Sequence, residues 1–242
     1  MKLKNVFQRK ENKYTLSMET YKLLRHYLAP YMTEDEYGLH TILSVYFDTE
    51  DYALIRHSIQ KPVYKEKFRL RSYGVPTNQQ QVFLELKKKV KGIVYKRRLS
   101  LKYTQALDYI ENPNSLSPDS LRDQQIKHEI DWLYARKHLS PKVLIAYDRR
   151  ALAAKDVKLS DFRITFDFNI RYRTDKLNLL EGDFGEPVAS EIGVLMEVKA
   201  LGAYPLWFSE ILSELSIYKC SFSKYAQVYE RYLFKEELSH VI

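Results

Sequence analysis

The chain has 242 residues, a formal net charge of +8 and a single cysteine. This length suits one large domain or two small ones with a real core. One cysteine excludes an intrachain disulfide and a cysteine-rich zinc site. Glycine is scarce, at 7 residues, and none forms a Gly-rich phosphate loop of the common nucleotide-binding folds, so side chains must hold any phosphate that binds.

The elements follow in chain order. MKLKNVFQRKENKY has no apolar segment of signal-peptide length, and alternation predicts a strand over 6–14. Ser17 is a plausible N-cap for a helix over 18–31. Strands are predicted over 41–48, 63–73, 81–89 and 92–101. The stretch ENPNSLSPDS at 111–120 reads as a surface loop and is followed by a helix over 119–138. Further strands are predicted over 142–151, 161–171 and 193–200, then a helix opened by Pro205 and a last helix from Ser223 to 238. No apolar run approaches the roughly 20 residues of a spanning helix. The expectation is a cytoplasmic protein, with a peripheral position at a membrane left open, and a polyanionic partner for the basic chain.

One polarity pattern recurs among the strands. Lys65, Lys67, Arg69 and Arg71 share one parity, opposite Glu66, Phe68 and Leu70. Glu85, Lys87 and Lys89 oppose Val82, Leu84 and Leu86. Lys96 and Arg98 oppose Tyr95, Leu99 and Leu101, with Arg97 interrupting the apolar side. Arg9, Glu11 and Lys13 share a parity, as do Tyr147 with Arg149 and Glu197 with Lys199. A single strand of this kind is an amphipathic strand with a solvated face. Repeated in many strands and rich in cations, the pattern suits a barrel with a polar lumen that is crowded when empty and neutralised by a phosphate chain.

The ordered motifs RKENKY (9–14), SVYFDT (44–49), KFRLRSY (67–73), FLELKKK (83–89), KRR (96–98), YDR (147–149), RITFD (163–167), MEVK (196–199) and SFSKY (221–225) resemble the VTC domain of the triphosphate tunnel metalloenzyme superfamily. The resemblance covers about residue 5 to 235. It implies an α+β fold: a closed antiparallel β-barrel tunnel of about eight strands with flanking helices, as a single domain over 1–242. It also implies an activity, polymerisation of inorganic polyphosphate from ATP with Mn²⁺ or Mg²⁺. Arg9 stands where a related branch, which includes triphosphatases and class IV adenylate cyclases, usually carries a glutamate. That favours the polymerase branch over the hydrolases. The metal-dependent hydrolase and a non-catalytic polyphosphate- or inositol-phosphate-binding module stay as alternatives.

The implied roles fall on named residues. Arg69, Arg71, Arg149 and Lys87 are the expected catalytic cations. ATP and polyphosphate would meet these and also Arg9, Lys13, Lys67, Lys96, Arg98, Tyr147, Arg163, Lys199, Ser223 and Lys224. Metal is expected at Glu197, then Glu11 and Glu85, although Glu85 and Glu11 also suit ion pairs that hold a neighbouring cation. Lys88, Lys89 and Lys91 read as rim charges, and Lys65 as a rim residue. Phosphoryl transfer asks for positioning and charge neutralisation, so no Ser/His or Cys/His pair is required. Cys220 reads as a packed residue. The expected partners are ATP, polyphosphate and a separate membrane protein. Nucleic acid is not expected, because the cations alternate with apolar residues inside strands.

Overall fold

The computed structural model describes residues 9–91 and 93–234, with the side chains of Arg9 and Lys10 outside the described set. In chain order the elements are β1 (Arg9–Leu16), α1 (Met18–Leu28), β2 (Met32–Glu34), β3 (His40–Asp48), α2 (Ala53–Ile59), β4 (Tyr64–Tyr73), β5 (Gln81–Val90) and β6 (Ile93–Lys102). They continue as α3 (Tyr103–Glu111), α4 (Leu121–Lys137), β7 (Ser140–Ala154), β8 (Arg163–Arg173), β9 (Glu186–Pro187), β10 (Val194–Leu201), α5 (Leu206–Glu214) and α6 (Lys224–Val228). Each of the long strands predicted from alternation is present. The short strands β2 and β9 and the helices α2 and α3 are additions. The last helix passes from α6 into a π-helical turn at Tyr229–Leu233, and its predicted extension to 238 lies outside the described residues.

The chain divides into two compact units. The first comprises residues 1–40, 147–170 and 189–223, and its strand order is β1-β10-β8-β7. Period two sorts its side chains. Tyr14, Leu16, Ile164, Phe166, Met196 and Val198 point to one side and pack with Leu24 and Leu28 of α1 and Phe208, Ile211 and Leu212 of α5. Each fully buried aliphatic or aromatic side chain of this kind contributes roughly 1.5–3 kcal/mol. Ser17 caps α1 as predicted, accepting from Thr20 N at 3.0 Å. Pro205 stands at the N-cap of α5, where its missing N–H costs nothing. Asn169, at φ 47°, breaks the alternation of β8.

The second unit comprises residues 41–146, 171–188 and 224–242, with strand order β7-β3-β4-β5-β6. Its apolar face carries Val45, Phe47, Phe68, Leu70, Leu84, Leu86 and Leu99, covered by Tyr103, Ala106 and Tyr109 of α3 and Ile126, Ile130 and Leu133 of α4. Arg97, which interrupted the apolar parity, is explained here. It and Lys88 both reach Glu129 of α4, at 3.2 and 2.7 Å. Glu66, also on this face and buried, accepts from Arg136 at 2.6 Å and from the Tyr64 hydroxyl at 2.6 Å.

The expected closed barrel is corrected. β1 and β6 are end strands, and no described pairing joins them, so the antiparallel sheet is open. Alternation sets which face a side chain takes; it carries no information on whether the end strands meet.

Candidate functional site

The polar face of the second unit is built by register. Tyr46 lies opposite Arg69, Arg69 opposite Glu85, and Glu85 opposite Arg98, so one row crosses β3, β4, β5 and β6. The next row is Lys67, Lys87 and Lys96, and beyond it Lys65 faces Lys89. Arg69, Arg71, Lys96 and Arg98 gather on Glu85, which is only 1% exposed. Arg69 donates Nε and Nη2 to Oε2 at 2.8 and 2.6 Å. Arg98 donates Nε and Nη2 to Oε1 at 2.9 and 2.6 Å. Lys96 Nζ stands 2.8 Å from Oε1, and Arg71 Nε stands 3.8 Å from Oε2.

Burial alone would raise the Glu85 carboxyl, but Arg69, Arg71 and Lys96 outweigh it and hold the group far below the usual carboxylate range. Glu85 is therefore a permanent anion with both oxygens engaged by cations. A divalent cation there would have to displace guanidinium groups from it. Its ion-pair role is to hold the cations in place.

The residues around this row fix the arginines further. Arg71 donates Nε to Ser44 Oγ at 3.1 Å, and Arg69 donates Nη1 to the Tyr46 hydroxyl at 2.9 Å. Arg98 reaches the Tyr73 hydroxyl at 3.3 Å and lies over the Phe83 ring at 4.3 Å. Burial would raise the Tyr46 phenol, but Arg69, Arg71 and Lys67 pull it down to about 8. The Tyr46 ring stacks on Tyr225, 4.8 Å between centroids, and the Tyr225 hydroxyl donates to Asp48 Oδ2 at 3.0 Å. The same Asp48 carboxylate accepts Leu54 N at 2.8 Å and Ile55 N at 3.0 Å, satisfying the first N–H groups of α2. Ser44, Tyr46 and Asp48 are alternate residues of SVYFDT, and the sequence reading assigned none of them a role. Their shared parity was the available signal.

Even with Glu85 in place, the face is oversupplied with positive charge. Against that one carboxylate, β4 to β6 present Lys65, Lys67, Arg69, Arg71, Lys87, Lys89, Lys96 and Arg98. Crowding is visible at Lys65, where burial first and then Lys89, Lys87 and Lys61 hold the ammonium below its usual value. Lys87 is exposed, whereas Lys88 points to the opposite face and is excluded from this group by its bond to Glu129. Lys224, at the start of α6, is 8% exposed. A multivalent anion is the ligand such a face can hold.

The first unit carries a second cluster. Lys13 lies opposite Glu197, Glu197 opposite Thr165, and Glu11 opposite Lys199. Arg149 donates Nε and Nη2 to the two oxygens of Asp167, at 2.6 and 2.8 Å, and its Nη2 stands 3.7 Å from Glu197 Oε2. Lys13 Nζ stands 3.0 Å from Glu197 Oε1 and donates to the Phe222 carbonyl at 2.9 Å. The backbone of Cys220 bonds Lys13 O at 2.8 Å, which assigns the SFSKY approach a scaffold role. Tyr147 is buried on the same face, with Arg149 over its ring at 5.1 Å. Arg163 is exposed and bonded to Asp35 at 2.8 Å, and Lys199 is half-buried. Ser223 is half-buried, one residue before the α6 start. Arg9 is placed by its backbone opposite Leu201; its side chain lies outside the described residues.

The structure thus brings together Lys67, Arg69, Arg71, Lys87, Lys96 and Arg98 in one unit, and Lys13, Arg149 and Glu197 in the other. For a divalent cation, the chemistry of the donors decides. Among the described residues no three Asp, Glu, His or Cys side chains gather as a metal set. A hard cation carried on phosphates needs only one or two protein carboxylates. Glu197 and the exposed Glu11 share one face of the β1–β10 ladder, and Glu197, like Glu85, already has cations beside both oxygens, Lys13 and Arg149.

The VTC domain family model matches residues 8–233, which includes parts of both units. Among solved structures, a candidate adenylate cyclase of Bacillus halodurans is similar at a TM-score of 0.53 and 16% identity, over 89% of this chain and 95% of that one. A candidate adenylyl cyclase of Hippeastrum, described as having a dominant triphosphatase activity, is similar at a TM-score of 0.50 and 17% identity, over 91% of this chain and 94% of that one. At these identities the likeness is one of fold. No curated protein matches by sequence.

Proposed function

Since the chain belongs to the VTC domain family of the triphosphate tunnel metalloenzyme superfamily, we propose that it is a polyphosphate polymerase. In this reading it transfers the γ-phosphate of ATP to a growing inorganic polyphosphate chain. The observation that carries this is the cation row gathered on Glu85, preformed and left with an excess of positive charge.

A terminal phosphate oxygen of the chain attacks the γ-phosphorus. A new P–O bond forms there, the bond from the γ-phosphorus to the β-bridging oxygen breaks, and ADP leaves with that electron pair. Arg69, Arg71 and Arg98 would grip non-bridging oxygens in planar, forked geometry, and Lys67, Lys87 and Lys96 would neutralise the adjacent phosphates. Arg149 and Lys13 would do the same in the first unit, with Tyr147, Arg163, Lys199 and Ser223 as further contacts there and Lys224 as one in the second unit. Glu197, with Glu11, would hold Mn²⁺ or Mg²⁺, which when bound supplies charge neutralisation on the phosphates. The protein's own share is to hold donor and acceptor phosphates in line.

No helix among the described residues is long and apolar enough to cross a membrane. The proposal includes a cytoplasmic site of action, residues 1–242 working as one domain, and a separate membrane protein where product is to cross a bilayer. The test is incubation of the pure chain with ATP and Mn²⁺. Long polyphosphate and ADP support the reading, with Arg69→Ala and Glu197→Gln abolishing both. The fold shared with a protein described as a triphosphatase favours one second reading, hydrolysis of triphosphates. Orthophosphate released from tripolyphosphate with no chain growth would replace the first reading with the second.

A further inference from the structure

The end of the β4–β5–β6 ladder exposes apolar side chains where the rest of the ladder buries them. Tyr64 lies opposite Val90, Val90 opposite Ile93, and Lys88 opposite Tyr95. Period two puts Tyr64, Val90, Ile93 and Tyr95 on the face that holds Phe68, Leu86 and Leu99 further along the same strands. There α3 and α4 cover the face. At the tip Ile93 and Tyr95 are 39% and 46% exposed on this face; Val94, which points to the other face opposite Lys89, is 49% exposed, and Val63, just before β4, is 67% exposed. Isolated apolar side chains on a surface are ordinary, but apolar side chains exposed on both faces of one hairpin end are not.

Lys61 and Lys91 are exposed beside this group, and Lys89 is exposed on the other face opposite Val94. The nearby carboxylates are already paired: Glu66, buried, with Arg136 and Tyr64, and Glu129 with Lys88 and Arg97. The ladder pairs Tyr64 with Val90 and Val90 with Ile93, and Lys91 N donates to Val63 O at 2.9 Å, which holds the strand ends together at the tip.

We propose that this tip docks on an anionic lipid surface. Val63, Ile93, Val94 and Tyr95 enter the headgroup–acyl boundary, and the ammonium groups of Lys61, Lys89 and Lys91 reach back to lipid phosphates. Long lysine side chains beside an apolar surface allow that division of labour. A free phosphate chain or a nucleic acid would use the lysines but leave the aliphatic side chains in water. The lipid surface uses both.

The experiment is co-sedimentation of the full chain with vesicles, either phosphatidylcholine alone or equal parts phosphatidylcholine and phosphatidylglycerol. Binding is expected to the mixed vesicles only. The double substitution Ile93→Asp with Tyr95→Asp, both on the face away from the cation row, should weaken it about tenfold while tripolyphosphate binding is unchanged. The milder pair Ile93→Ser with Tyr95→Ser, checked for a parental thermal melt, covers misfolding of the first. Three results would overturn the proposal: no sedimentation with either vesicle, full binding by the serine variant, or a dimer in light scattering that the same substitutions dissolve. None of these readouts depends on turnover, so the outcome is separate from that of the polymerase assay.

Discussion

Arg69 places two N–H groups on a single oxygen of Glu85, Nε at 2.8 Å and Nη2 at 2.6 Å, while Arg98 takes the other oxygen in the same way. The carboxylate is therefore the anchor of the cation row. It spaces the arginines at fixed distances before any ligand arrives, which lowers the ordering cost of binding.

Replacing Glu85 with Gln should separate its structural from its binding effect. Breaking a buried pair by removing one partner is strongly destabilising, and about 3 kcal/mol is expected in urea unfolding without phosphate. Added tripolyphosphate should recover most of that loss, because it supplies the missing negative charge. Since the folded carboxyl lies below its unfolded value, the Glu85 contribution is complete above the ordinary carboxyl range and is lost as pH falls through the folded value. The stability gap between parent and variant should shrink in acid. A gap that is constant with pH, or unmoved by tripolyphosphate, would contradict this.

Tyr46 provides a second pH signature. Its phenol is drawn down to about 8 from an unfolded value near 10. A depressed folded value means stability gained as pH rises through about 8, complete above the unfolded value and absent at lower pH. The parent should thus gain stability over Tyr46→Phe between these two values. Tripolyphosphate removes the cationic pull and should raise the phenol back toward 10. The phenolate absorbance of parent minus Tyr46→Phe, titrated with and without ligand, measures both effects. Identical titrations would show that ligand does not reach Arg69 and Arg71.

Arg149 and Asp167 form a pair that lysine cannot copy. Asp167 is fully buried, and both its oxygens are bonded by the one guanidinium. Arg149→Lys leaves a buried carboxylate half-satisfied and should cost about 2 kcal/mol in urea unfolding. Combined with Asp167→Asn, the loss should be clearly less than additive. Additive losses would mean that the two groups are not coupled.

Lys87 and Lys88 are adjacent and point to opposite faces, so they test the sidedness of the site. Lys87→Gln should weaken tripolyphosphate binding several-fold in titration calorimetry with little change in stability. Lys88→Gln should leave binding unchanged and cost less than about 1 kcal/mol by loosening its pair with Glu129. Equal effects on binding would mean that simple net charge, not the face, governs affinity.

Much of this was legible in the sequence. The two-residue period located every long strand and assigned Lys65, Lys67, Arg69 and Arg71 to a common face. The helices α2 and α3 were not legible. α2 spans seven residues and is held by Asp48, whose carboxylate caps it from the end of a strand. α3 spans nine residues, follows β6 with no intervening loop, and buries Tyr103, Ala106 and Tyr109 against β5 and β6. The family match over residues 8–233 was foreshadowed by the ordered motifs.

By itself the sequence determined the faces, because alternation is a property of neighbouring residues and the chain's own geometry turns it into sides of a sheet. Only the tertiary structure decided how the charges on a face share their partners. Glu85 suited both a metal and an ion pair in the sequence, and register brought Arg69, Arg71, Lys96 and Arg98 onto it. Tyr46 was an unremarked tyrosine until Arg69 and Tyr225 met it from other strands and helices. Closure of the sheet was beyond the sequence for the same reason: it depends on whether end strands distant in the chain meet. A two-residue period says nothing of that.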